Sequence, residues 1–375
     1  LSIDAVTRDR LCGELHEVIA QHVTPAYARW LAFFRDEYLP GASKVLAAEA
    51  MPDGKAWYAQ QIRQYTTLDL TAAQVHDIGL AEVARITADM EKVKKEVGFA
   101  GDLKAFIAFL RGDPQFVAKT PDELMGVSSY VAKRVDDTIG KYFGLLPRKL
   151  FGIRPVDPAI APFYTAGRGG LDACQMNTYD LPSRPLYNIP ALTLHECAPG
   201  HSFQAALALE RDAAPAFRRE TYFSGFGEGW GLYVEWLGNE MGIYRTPYER
   251  FGQLSYEMWR AARLVIDTGI HSKGWSRQQA IDYLAAHTAL STREVETEVD
   301  RYISWPGQAL AYKLGEMTIR KARARAEKAL GPKFDIRKFH DVLLALGSVP
   351  LPVFEQRMDA FIADGGQGLP GVTYD

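Results

Sequence analysis

Residues 193–204 read Thr-Leu-His-Glu-Cys-Ala-Pro-Gly-His-Ser-Phe-Gln. His195 and Glu196 form the His-Glu pair with which zinc-hydrolase motifs open, and His201 brings a second imidazole nearby. Downstream, Gly-Glu-Gly-Trp-Gly-Leu-Tyr-Val-Glu at 227–235 offers Glu228 and Glu235 at the distance where such enzymes usually find a third ligand. Two imidazoles and a carboxylate can hold one zinc ion with a position left open, and a further Glu can activate water there.

The spacing is unusual. In the common zincin pattern the two histidines lie four residues apart on one helical face. Here they lie six apart, a rotation of about 600°, which leaves the rings about 120° out of phase on a straight helix. Pro199 would clash with the carbonyl of His195 and donates no hydrogen bond, and Gly200 admits backbone angles that other residues avoid. The expectation is a break or bulge at Pro199-Gly200 that re-phases His201 toward His195. The competing reading is a plain turn with two histidines nearby by coincidence. Leu192, Leu194, Phe203, Ala206 and Leu207 make the flanks apolar. Buried His and Glu need partners, and a metal is a natural one.

Gly229 and Gly231 flank Glu228; two helix-weakening residues there suggest close backbone approach to another helix. Glu235 lies two turns beyond Glu228 and returns to nearly the same face. It would accept from the ring of a ligand histidine, or be the ligand itself with Glu228 in support, or form a surface ion pair. Further on, Arg260, Arg263, Asp267 and His271 share one helical face among Leu264, Val265, Ile266 and Ile270. A polar stripe on a buried helix needs internal partners or a cleft. In the cleft reading one arginine binds a substrate carboxylate and His271 stabilises an oxyanion or donates a proton. In the other, the stripe is an internal Arg–Asp pair with a capping histidine.

Elements that must position these groups are mostly helical. Thr71-Ala-Ala-Gln74, Thr120-Pro-Asp-Glu123, Thr246-Pro-Tyr-Glu249 and Ser276-Arg-Gln-Gln279 read as capping boxes, two with Pro at the first helical position. Periodic runs follow over about 72–97, 121–139, 247–272 and 277–288, and 307–330 reads as a helix ending before Gly331-Pro332. The stretch 155–190 is the exception, and Ala173–Tyr179 is its best strand candidate, with a structured loop as the alternative. The formal net charge of −3 gives no reason to expect nucleic acid or an anionic membrane as partner. No apolar run is long enough to span a bilayer. Cys12, Cys174 and Cys197 are odd in number and scattered, which argues against a disulfide framework and a cysteine-rich zinc site.

His-Glu-x-x-Pro-Gly-His followed by Gln, then Glu-Gly-Trp-Gly-Leu-Tyr-x-Glu, resembles the bacterial family called domain of unknown function 885. That family is similar to the thimet-oligopeptidase and carboxypeptidase Taq zinc peptidases. The resemblance continues through Arg263–His271, Arg301-Tyr302 and Pro306–Gly315. It departs at Ser202, where many members carry another His, and at Cys197. It implies a mainly α zincin-like metallopeptidase fold with a small β element beside the cleft, whose edge strand pairs with extended substrate. It favours Glu228 over Glu235 as the third ligand beside His195 and His201. It makes Tyr302 a second candidate to stabilise an oxyanion, with Tyr312 and Gln308 as weaker ones.

The resulting expectation is a helical N-terminal part over 1–140 and a metallohydrolase part over 141–375, together one cleft-containing unit. One zinc would sit on His195, His201 and Glu228, Glu196 would be the general base, and short peptides or peptide-like amides the substrates. Two other classes stay open: a metal-dependent hydrolase of non-peptide amides or esters, and a binding protein whose metal is structural or absent. The chain opens at Leu1 rather than Met, and relatives are usually longer. An upstream segment is therefore expected; had it carried a secretion signal, the protein would be exported, to the periplasm or as a lipoprotein.

Overall fold

Side-chain caps set where the long helices begin. Thr71 and Ser276 accept from the amides of Gln74 and Gln279, whose side chains accept in return from the cap amides. Thr120 and Thr246 also accept from the amides three residues on, but Glu123 and Glu249 reach one residue further back, to the amides of Lys119 and Arg245. Pro121 and Pro247 follow as first helical residues, where a missing N–H costs nothing.

The computed structural model describes residues 3–210 and 215–374. The chain divides into two units, Leu1–Leu46 and Ala47–Asp375. The first is helical: α1 (Ala5–Val18), α2 (Thr24–Phe33) and α3 (Leu39–Gly41), joined by π-helical turns. The second opens with α4 (Gly54–Thr66), α5 (Ala72–Glu96), α6 (Leu103–Gly112) and α7 (Pro121–Thr138). Strands β1 (Gly152–Pro155), β2 (Gly167–Arg168) and β3 (Ala173–Met176) come next. Then follow α8 (Ile189–Glu196), α9 (His201–Leu209), α10 (Ala216–Glu220), α11 (Ser224–Glu240) and α12 (Pro247–Lys273). The chain closes with α13 (Arg277–His287), α14 (Thr292–Ser304), α15 (Ala311–Leu330), α16 (Ile336–Leu344) and α17 (Leu351–Ala363). The protein is mainly helical, and no helix among the described residues is long and apolar enough to cross a membrane.

Helix α12 is the spine of the second unit and is buried almost throughout between Phe251 and His271. Met258, Ala261 and Val265 pack against Val83, Ile86 and Met90 of α5 and Phe106 of α6. Leu264 joins Tyr58 and Ile62 of α4 and Leu314 of α15. Helices α11 and α15 meet at bare backbone: a Cβ on Gly315 would stand 1.9 Å from the Gly225 carbonyl oxygen, and one on Gly229 would stand 2.6 Å from Gly315. Only glycine allows that approach, which brings the α11 carboxylates over the end of α8.

The sheet runs β1-β3-β2, with β1 parallel and β2 antiparallel to β3. The expected strand at Ala173 is therefore central, and the edges are β1 and β2. The cysteines also depart from expectation. Cys174 on β3 is bonded to Cys197 at the end of α8, leaving Cys12 free. Scatter in sequence hid the pair because β3 and α8 are neighbours only in space, where the two Cα atoms are 5.2 Å apart.

Candidate metal centre and its cleft

Helix α8 stops at Glu196 and α9 restarts at His201, so the expected break lies across Cys197–Gly200. The turn is held from three sides. Trp230, fully buried on α11, donates its indole N–H to the Pro199 carbonyl at 2.8 Å. Phe203 N–H donates to the Cys197 carbonyl. The Cys174–Cys197 bond ties the same residue to β3. The turn brings the rings of His195 and His201 edge to face, with centroids 4.7 Å apart.

Glu228 closes the group. Its Oε2 lies 3.2 Å from His201 Nε2 and 3.6 Å from His195 Nε2. One donor atom from each residue lies within 4.8 Å of the others. Gly231 stands nearly one turn beyond Glu228, where a Cβ would lie 2.6–2.9 Å from the His195 ring. Thus Gly229 admits a helix, as the sequence suggested, while Gly231 admits the imidazole. Glu235, fully buried, takes His195 Nδ1 at 2.7 Å from the opposite side. The geometry separates the two carboxylates: Glu228 faces the convergent nitrogens and Glu235 orients the ring behind them. Tyr222, which the sequence reading missed, donates to Glu228 Oε1 at 2.9 Å. Two imidazole nitrogens and a carboxylate oxygen, one ring held from behind by a second carboxylate, form a donor set that fits a divalent ion such as zinc.

The electrostatics agree with tight coupling. Burial opposes charge on His195, yet the neighbouring carboxylates of Glu228 and Glu235 lift it to about 9. Burial would raise Glu228, but the charge on His201, its hydrogen bond and the nearby His195 ring hold it well below the usual carboxylate range. Each group keeps its partner in the form that pairs with it.

Glu196 faces the same space. Its Oε2 accepts from the amide of Gly169 at 2.5 Å. A Cβ on Gly169 would stand 2.4 Å from the Glu196 carbonyl oxygen and 2.5 Å from His201 Cβ. Ser202 accepts from Gly170 N–H and donates to the Glu196 carbonyl. That explains a hydroxyl where the resembled family often has histidine: it clips the loop after β2 onto the motif.

A cavity of about 820 Å³ opens in front of these groups, lined by His195, Glu196, His201 and Glu228 and by the edge Gly167–Gly169. Arg260, Arg263, Gln308 and Tyr312 line it as the sequence suggested, and Arg301 joins them. Three expected residues do not. Tyr302 is fully buried, and its hydroxyl accepts from Trp259 and Arg263. His271 spends both ring nitrogens on backbone, Nδ1 accepting from Ala48 N–H and Nε2 facing the Tyr302 carbonyl. Asp267 accepts from Tyr58 and Gly307 N–H. The stripe's eleven-residue reach amounts to roughly 16 Å of helix, and only its first turn borders the cavity. Among the missed residues, Arg301 had a signal, since it stands beside Tyr302 in the quoted pattern. Tyr222 and the Gly169 amide had none.

Known structures share this architecture. The chain is similar to "the putative lipoprotein from Colwellia psychrerythraea", at 31% identity and a TM-score of 0.92 over 96% of this chain. It spans 64% of the length of that protein. It is also similar to a "putative lipoprotein of unknown function from Shewanella oneidensis", at 19% identity and a TM-score of 0.69 over 96% of this chain and 68% of the other, a likeness of fold alone. No curated protein matches. The family model described as "Bacterial protein of unknown function (DUF885)" matches residues 2–358, and the chain belongs to that family.

Proposed function

We propose that this DUF885 protein is a zinc-dependent peptidase of the zincin type that hydrolyses amide bonds of short peptides or peptide-like substrates. The observation that carries the reading is the convergence of His195, His201 and Glu228 on a cavity that Glu196 also lines. A binding protein with a structural ion has no need of that extra acid.

His195, His201 and Glu228 would hold the ion. When bound, zinc supplies Lewis acidity, polarising a carbonyl and acidifying a water. Glu235 keeps the His195 ring oriented. Glu196 accepts one proton from the water whose oxygen adds to the amide carbon. As the C–N bond breaks, it passes that proton to the leaving nitrogen. The edge strand β2, Gly167–Arg168, lines the cavity and would pair with extended substrate backbone. Arg260, Arg263, Gln308 and Tyr312 bind the substrate beyond the scissile bond.

The test is metal content beside turnover of a panel of peptides, acylated amino acids and esters. Wild type should carry about one zinc per chain and cleave peptides. His201→Ala should lose the metal; Glu196→Gln should keep it and be inert. Wild-type protein that takes up no zinc, or an active Glu196→Gln, sinks the proposal, and cleavage confined to esters moves the substrate class.

A further inference from the structure

The cavity wall beyond the histidines holds more positive charge than its own carboxylates answer. Arg260, Arg263 and Arg301 gather around the Tyr312 ring, with guanidinium carbons 5.9, 4.3 and 5.9 Å from its centroid. That ring lies nearly parallel to His195 at 6.4 Å between centroids. Arg263 and Arg301 therefore stand one aromatic ring away from the candidate metal ligands, while Arg260 reaches the Glu235 carboxylate that holds His195.

Neutral oxygens take some of their N–H groups: Tyr256 for Arg260, Tyr302 for Arg263, Gln308 and Tyr312 for Arg301; their acidic partners are few. Glu298 serves two of them, at 2.7 Å from Arg263 and 3.4 Å from Arg301. Glu235 lies 3.3 Å from Arg260 but is already committed to His195. Glu294 is also close in charge terms, yet burial pushes it up to about 7 against the pull of Arg184, so it is only partly ionised near neutrality. Arg263 Nη1 and Arg260 Nε are buried and have no hydrogen-bond partner among the described residues. Buried guanidinium N–H groups without a partner are costly, and stacking on Trp259 and Tyr312 fixes the planar forks without satisfying them. Such forks match the planar oxygens of a carboxylate or a phosphate, and a peptide substrate carries the carboxylate.

Resting on the peptidase reading, we infer that this arginine cluster binds the free C-terminal carboxylate of the substrate, so that cleavage removes the last one or two residues from a peptide. Each residue advances the chain by about 3.8 Å. A carboxylate seated against the arginines, one ring beyond His195, leaves room for one or two residues before the scissile bond. An internal segment of a long chain would bring no terminal carboxylate there.

The experiment compares N-acetylated alanine tripeptides ending in a free acid, in an amide, or in an amidated glutamate. Binding is measured by calorimetry on zinc-loaded Glu196→Gln protein, with and without Arg301→Gln. Arg301 is 28% exposed, more than its two neighbours in the cluster, and a circular dichroism spectrum matching the parent checks the fold of the variant. Arg260→Lys, which keeps charge but loses the fork, is the second variant. The acid should bind at least tenfold tighter than the amide, and either substitution should shrink that ratio. Wild type should release residues from the C-terminus of the acid alone. Equal binding of acid and plain amide, or no binding of either, overturns the inference. Equal binding of acid and amidated glutamate overturns it too, by showing that a side-chain carboxylate is read. An acid preference in binding without any cleavage would leave the carboxylate site standing and remove the peptidase reading.

Discussion

Glu235 Oε1 and His195 Nδ1 meet at 2.7 Å on a carboxylate with no solvent exposure. This contact leaves the other ring nitrogen toward Glu228 and His201. Glu235→Ala should weaken zinc affinity by about 10- to 100-fold, as loss of such supporting contacts does, and Glu235→Gln by less. Competition against a calibrated chelator measures it. Unchanged affinity in the Ala variant would mean the contact orients nothing.

Gly231→Ala puts a methyl group 2.6–2.9 Å from the His195 ring atoms. We expect overpacking to cost about 1–3 kcal/mol and zinc affinity to fall, because the ring must move. Gly126→Ala on α7, where an added Cβ meets nothing, is the control and should stabilise by up to about 1 kcal/mol through helix propensity. If both variants behave alike in urea melts and zinc titration, the close approach has no consequence.

The Cys174–Cys197 bond closes a loop of 23 residues. Denatured, unreduced protein should show one reactive thiol, that of Cys12, against three after reduction. The paired substitution Cys174→Ser with Cys197→Ser should lower stability by about 3 kcal/mol. Three thiols in protein prepared from an oxidising compartment would contradict the bond.

His340 sits under the aromatic wall that carries Trp230, accepting from the Tyr233 hydroxyl and facing the Tyr142 carbonyl. Burial depresses its pKa from 6.5 to about 3 in the folded protein, only partly opposed by the contact with Tyr142. The folded state thus binds fewer protons than the unfolded one between those values. The contribution is fully present above pH 6.5 and is lost as pH falls toward 3, at about 1.4 kcal/mol per pH unit. Urea midpoints should drop between pH 7.5 and 5.5 in wild type and drop less in His340→Gln. Parallel pH profiles would exclude His340 as the source.

Much of the helical frame was legible because its signals are local. Thr71, Thr246 and Ser276 announce helix starts through hydrogen bonds three residues away, and Pro199 announces a break because its ring clashes within one turn. The spacing of His195, Glu196, His201 and Glu228 follows from the same short-range geometry plus one packed helix pair. The site's outer parts were harder to read. Tyr302 and His271 have the right chemistry, yet α12 and α14 bury them against Arg263, Trp259 and backbone, away from the cavity. Arg301, one position from Tyr302, turns the other way and lines it.

The sequence by itself determined the family, the mainly helical class and the break that lets two histidines six residues apart share a face. Each of these depends on interactions spanning a few residues, or on a pattern of types. Tertiary structure placed Glu228, the carboxylate the resemblance favoured, against the histidines, and it alone decided which edge of the sheet borders the cavity, that Cys174 meets Cys197, and that three arginines share one tyrosine ring. These depend on how closely α11 approaches α15 and how β3 lies beside α8. Such distances are set by glycine contacts and buried packing between segments far apart in the chain, which no local spacing encodes.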